Sequence, residues 1–363
     1  MNEATLPLLV KIVRRPDSVC SLDTASWDLL IRQARRANFL ASLDAMLRRT
    51  HHIDAVPFAA RRHLDWASAA ADKQRRAVHW EIRQIRLALQ PLGVPVILLK
   101  GAAYVAADLP VSAGRVFCDV DILSPIERLH EVEAALMLNG WTGLGLDEYD
   151  QHYYRAWMHE IPPLRHVKRG AVIDVHHAIL PLTSRLRPAS FKLLASAMPV
   201  TGMPNVKVLC QVDMLLHSAL HLFYDGELDN GFRDLLDLHH LFGSFGNNPQ
   251  FWAALVPRAV ELNLERPLFY ALRFCVTLLA TDVPKQTMTE ANIGAPPQLL
   301  LYLMDQLYQR ALMPMHQSCD DRFTRLARLL LYVRGNWLRM PPLLLARHLL
   351  RKSLTSKKTL QTT

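Results

Sequence analysis

The chain has 363 residues, half of them hydrophobic and 21% charged, with a net charge of +9. That composition excludes an intrinsically disordered chain and leaves room for two or three structural units. The positive charge suits a partner such as a nucleotide, a nucleic acid or an anionic surface, without selecting among them.

The longest apolar runs, such as residues 329–333 and 342–346, are too short to span a bilayer. Lys11, Arg14 and Arg15 follow a short apolar run and lead into polar residues, which is not a signal-peptide pattern, so a cytoplasmic protein is expected. Five cysteines, none in a CxxC pair, argue against a disulfide framework and against a zinc finger. Cys118 and Cys275 sit in apolar runs and read as buried thiols.

Residues 1–90 read as helical. Ser21 and Asp23 can cap a helix carrying Trp27, Leu30, Ala34 and Leu40, and residues 56–89 have no Gly or Pro after Pro57. The pattern changes at Pro91. Residues 94–99 read as a buried strand, 101–108 as a short helix and 116–123 as a second strand. Ser124, Pro125 and Glu127 have the spacing of a capping box for a helix that stops at Asn139-Gly140. Residues 163–167 and 171–175 flank Lys168-Arg169-Gly170 as a β-hairpin. From residue 206 helical periodicity returns over 212–224, 232–242, 252–262, 266–279 and 297–311. The expected fold is α+β, a small mixed sheet embedded in a mainly helical chain. Its divisions are a helical region over 1–90, a sheet-bearing core over 91–200, a helical domain over 201–320 and a basic amphipathic segment over 321–363.

The strand 116–123 carries the strongest chemical signal. Side chains alternate along a strand, so Val116, Cys118, Val120 and Ile122 face a core while Asp119 and Asp121 share the other face. Two carboxylates held side by side repel, and a divalent cation such as Mg²⁺ removes the conflict while binding phosphates. Asp174 and His176 share a face of the hairpin strand. If that strand lies beside the first, three acids converge on one or two metal ions. Upstream, Lys100 and Gly101 join a strand to a helix, where a helix N-terminus, a point charge and a close backbone approach suit a phosphate. Arg115, four residues before Asp119, can neutralise another phosphate oxygen. A DxD also occurs in ordinary exposed loops, and Lys100 reads equally as a strand-end lysine whose head reaches water.

The segments Leu98-Leu99-Lys100-Gly101, Arg115 followed by Asp119-Val120-Asp121-Ile122-Leu123, and Ile173-Asp174-Val175-His176 resemble the bacterial uncharacterised nucleotidyltransferase family of the polymerase-β superfamily. The resemblance is close over residues 91–179 and weaker over 212–242. It implies metal-dependent transfer of a nucleotidyl group from an NTP, with Mg²⁺ or Mn²⁺ on Asp119, Asp121 and Asp174. Lys100, Gly101, Arg115 and His176 are then the expected nucleotide-binding residues. Lys100-Gly101 stands where most of the superfamily has a Gly-Ser pair that grips the triphosphate. The acceptor is open between a small molecule, a protein and an RNA end. The alternatives are an inactive nucleotide-binding or scaffold protein of the same fold and a DxD glycosyltransferase using Mn²⁺.

Weaker signals lie further on. Asp213, His217 and His221 recur every four residues on one helix face and could bind a metal, pack the helix, or wall the catalytic cleft. Asp237, with Arg233 and Asp234, could orient one of those histidines. The arginines from Arg322 onward fit contact with an anionic surface or an ordinary solvated face.

Overall fold

A computed structural model describes residues 5–117, 119–143, 145 and 148–341. Over these residues the chain is α+β, with helices before and after one seven-stranded mixed sheet. The strands are β1 (Val96–Leu98), β2 (Asp119–Leu123), β3 (Trp141–Gly143), β4 (Leu164–His166), β5 (Val172–His176), β6 (Met198–Pro199) and β7 (Val206–Val208). Their order across the sheet is β3-β4-β5-β2-β1-β7-β6. The pairs β2–β5 and β1–β7 are parallel, and the other neighbours are antiparallel. The sheet therefore runs past residue 200, because β7 pairs with β1.

Local chemistry explains where elements begin and end. The 32-residue helix Phe58–Leu89 lacks internal Gly and Pro and follows Pro57. The Asp23 side chain caps the helix Thr24–Arg36 by accepting from Ser26 N at 2.8 Å. The hairpin forms as its turn residues require, with Gly170 at φ +71°. The DxD strand starts later than expected. Phe117 N bonds to the Gln74 side chain at 3.1 Å, outside the ladder, and Val116 is 43% exposed and so is not a core residue. Cys118 lies outside the described residues. The capping box at Ser124 does not form. Ser124 Oγ reaches only Pro125 O at 3.4 Å, and a single 3₁₀ turn, Ile126–Arg128, leads into the helix Leu129–Leu138. Arg128 and Glu131 brace that entry with two bonds of 2.9 and 2.7 Å.

The helical regions are fastened to the sheet. Arg169, in the hairpin turn, bonds both Glu81 oxygens at 2.9 and 3.0 Å and lies within 5 Å of the Trp80 and Trp141 ring centres. One continuous apolar core extends from Leu6 to Leu331 and includes residues from β1, β2, β4, β5 and β7. The last described helix, Thr324–Arg339, turns several of its arginines to structural use. Arg334 donates to Phe223 O at 2.9 Å, Arg339 pairs with Asp225 at 2.6 Å and Arg328 with Asp320 at 3.1 Å. The expected continuation over 342–354 lies outside the described residues. No helix among those described is long and apolar enough to cross a membrane.

That last helix meets the end of the helix Gln211–Tyr224 at two glycines. A Cβ on Gly335 would stand 2.6 Å from Asp225 O and 2.7 Å from Gly226 Cα, both backbone atoms that cannot swing aside. Gly335→Ala is expected to lower stability by about 1–3 kcal/mol through overpacking. Gly243→Ala, on an open helix face, should instead raise it by up to about 1 kcal/mol from helix propensity alone. Thermal melts of both variants check the pair. Equal melting temperatures would show that the helices part freely at this crossing.

Candidate active site

The parallel register of β2 and β5 sets the site. Val120 lies opposite Ile173 and Ile122 opposite Val175, and all four side chains are buried on the core side. The same register sets Asp121 opposite Asp174 on the other face, with Asp119 and His176 flanking them. Asp174 Oδ1 is buried and has no hydrogen-bond partner. Burial first, then the charges of Asp121, Glu160 and Asp119, push the Asp174 carboxyl up to about 7. Asp119 is also raised, by partial burial and by Asp121.

Asp121 goes the opposite way. Burial opposes its charge, but Lys100 and His176 outweigh burial and hold the carboxyl well below the usual carboxylate range. Lys100 Nζ at 3.1 Å and His176 Nε2 at 2.8 Å both contact Oδ1, which leaves Oδ2 for another ligand. Lys100 opens the helix Lys100–Ala106 with φ +44°, a left-handed conformation that costs a side-chain-bearing residue roughly 1–2 kcal/mol. The strain turns the lysine from the end of β1 onto Asp121. Leu99 N donates to Asp121 O at 3.0 Å and fixes that approach.

Three sequence expectations change in detail. The free space at Gly101 is filled by the Phe117 ring, which a Cβ there would meet at 2.2 Å, so the missing side chain serves packing. The helix behind it has seven residues, which limits any dipole available to a phosphate. Arg115 is not a free phosphate ligand. It pairs with Asp237, lies 4.0 Å from Asp234, and stands over the Tyr104 and Phe117 rings at 5.5 and 5.8 Å. A guanidinium this deep needs a carboxylate beside it, and Asp237 meets that need rather than orienting a histidine.

Arg115 nevertheless lines the same cavity as Lys100, Asp119 and Asp121, with a volume near 250 Å³. Ser218 and His221, from the helix Gln211–Tyr224, form the opposite wall, and Ser218 Oγ bonds Tyr104 Oη at 2.6 Å. His217 is buried on the same helix, and burial followed by the nearby Lys100 charge holds both histidines below their ordinary pKa. Asp213 does not join them. It is fully buried, bonded twice to Arg258 at 2.8 Å and to Ser196 Oγ at 2.5 Å, so the i, i+4 row is not one ligand set. Glu160 was not identified from the sequence. An isolated bridge to His176 brings its Oε2 to 3.3 Å from His176 Nδ1, and no motif spacing signals that pairing.

The raised Asp174 carboxyl has a pH signature. Its proton is held more tightly in the folded chain than at the ordinary value of 3.8, so the folded state is favoured while Asp174 is protonated and loses that advantage as pH rises through about 7. In chelator-treated protein, Asp174→Asn should gain about 2–4 kcal/mol relative to the parent chain between pH 4 and pH 8. Denaturant melts at the two pH values measure it. A difference independent of pH would mean that the carboxyl ionises as freely as in water.

The family model for uncharacterised nucleotidyltransferases matches residues 23–280. Comparisons with curated proteins and with solved structures give no match. The matched span is well over half of the chain and holds both the aspartate-bearing strands and the helical wall opposite them. The chain therefore belongs to the uncharacterised nucleotidyltransferase family.

Proposed function

We propose that this protein transfers a nucleoside monophosphate from an NTP to an acceptor hydroxyl, with Asp119, Asp121 and Asp174 holding a divalent cation. The observation that carries this reading is the buried, unpartnered Asp174 Oδ1 opposite Asp121 in the strand register. Carboxylates crowded in this way suit Mg²⁺ or Mn²⁺, which prefer oxygen ligands and keep open positions for phosphate. Once bound, such an ion would neutralise phosphate charge and favour the ionised acceptor hydroxyl.

The chain's own residues account for the other requirements. Lys100 supplies a positive charge at the cavity, where it stands on Asp121 Oδ1. The acceptor oxygen attacks the α-phosphorus, the bond to the bridging oxygen breaks, and pyrophosphate departs. Asp174, which a bound cation would keep ionised, is placed beside Asp121 to take the hydroxyl proton. The wall carrying Ser218 and His221 limits water at the reacting phosphate. The acceptor hydroxyl belongs to a small molecule, a protein or an RNA end, and an NTP donor fits a cytoplasmic location.

A second reading, an inactive nucleotide binder, draws on the pairing of Arg115 with Asp237 and of Lys100 with Asp121, which leaves less free positive charge for a triphosphate. Sugar transfer by the DxD pair has less support, because β1 is the one described strand ahead of β2.

Incubation with α-labelled NTPs, Mg²⁺ and cell extract separates these readings. Label should pass to an acceptor, and Asp121→Asn should cut transfer at least about a hundredfold. NTP binding without any transfer would sink the enzymatic reading. Lys100→Ala should weaken NTP binding per folded molecule about tenfold in calorimetric titrations, beyond any stability lost with the Asp121 partner. A lower melting temperature with unchanged affinity would make the lysine structural.

A further inference from the structure

Behind the three aspartates lies a second group of potential ligands. His159 and Glu160 run antiparallel to the end of β5, fastened by His177 N to His159 O at 2.8 Å and by Ile161 N to Val175 O at 3.0 Å. The ligand atoms of His159, Glu160 and His176 all lie within 4.8 Å of one another. We propose that these three side chains form a separate site for a Zn²⁺-class transition ion, with His176 oriented toward it by Asp121.

Four observations support this. First, His176 Nε2 sits 2.8 Å from Asp121 Oδ1, where the carboxylate accepts a hydrogen bond from the imidazole N–H. Nδ1 faces Glu160 Oε2 at 3.3 Å on the side away from Asp121. A cation between them would take both atoms as ligands. Second, that separation matches the edge of a tetrahedron with metal–ligand bonds of about 2.0–2.1 Å. Third, His159 Nδ1 is buried without a partner, and burial holds this imidazole neutral, with a lone pair to give. Fourth, a carboxylate bonded to the far nitrogen of a metal-bound histidine is a recurrent way of fixing its ring and tautomer. Two imidazoles and one carboxylate select a borderline ion over Mg²⁺ and leave a fourth position open. This inference needs no nucleotide, so it stands or falls apart from nucleotidyl transfer.

The rival explanation is a doubly protonated His176 bridging Asp121 and Glu160 with no metal. Calorimetric titration of the chelator-stripped full chain with Zn²⁺, and with Co²⁺ as a spectroscopic probe, decides between them. The expected result is one equivalent of tight binding that excess Mg²⁺ does not displace, with nitrogen ligation visible in the Co²⁺ spectrum. His159→Ala and Glu160→Gln should each weaken it at least about tenfold, whereas Asp119→Asn and Asp174→Asn should still bind one equivalent with nitrogen ligation, their affinity moved only by the lost neighbouring charge. Glu160→Gln is nearly isosteric and carries the test if His159→Ala does not fold. Absence of stoichiometric binding, binding indifferent to Glu160→Gln, or binding lost in Asp119→Asn or Asp174→Asn would each overturn the proposal.

Discussion

Repulsion between Asp121 and Asp174 is the constraint around which this site is arranged. The parallel pairing of β2 with β5 cannot bury Val120, Ile122, Ile173 and Val175 on one side without bringing the two carboxylates together on the other. The register is therefore held by apolar burial, and the charges are forced on the site by it. The chain answers in two ways. Asp121 receives a lysine from the end of β1 and a histidine from the end of β5, and stays ionised. Asp174 receives neither on Oδ1 and holds its proton up to about 7. Neighbouring acids with different protonation behaviour follow from one strand register and two asymmetric partners.

The remaining polar groups near the cavity are mostly paired with one another. Arg115 takes Asp237, and Arg258 takes Asp213. These are buried charges that need partners before they can serve any chemistry. They hold the helices Gly231–Phe245 and Pro249–Glu261 in place relative to the residues around the site. Arg115, expected at a phosphate, and Asp213, one of a row with several possible roles, each spend their charge on an ion pair between segments. The Arg115 charge still lies on the cavity lining and shapes the field inside it.

Much of this was legible in the sequence, for identifiable reasons. The alternation of Asp119-Val120-Asp121-Ile122 and of Ile173-Asp174-Val175-His176 is a local signal, and period-two burial turns it directly into facing. The hairpin at Gly170 and the gathering of His217 and His221 on the inner side of one helix are local signals as well. Pairings decided by distant segments were not legible. Nothing in the spacing joins Glu160 to His176, Asp213 to Arg258, or Arg115 to Asp237, since each depends on which helix packs where. The strands β3, β6 and β7 escaped notice because two or three residues are too few to show alternation, whereas the equally short β1 and β4 were marked by a longer apolar run and by the Gly170 turn. The capping box at Ser124 failed because Pro125 and the following 3₁₀ turn carry the serine away from the helix start.

The single core from Leu6 to Leu331 bears on how the cavity meets a ligand. Both walls, the end of β1 with Lys100 and the helix with Ser218, are anchored in the same packed interior. Neither wall has to be recruited on binding, so little ordering entropy is charged against the affinity of an incoming molecule. Selectivity then falls to the dimensions of a rigid opening rather than to closure around the substrate. Under the proposed transfer reaction, an acceptor would be sorted by whether its hydroxyl can reach the acids through that opening, in the manner of a gauge.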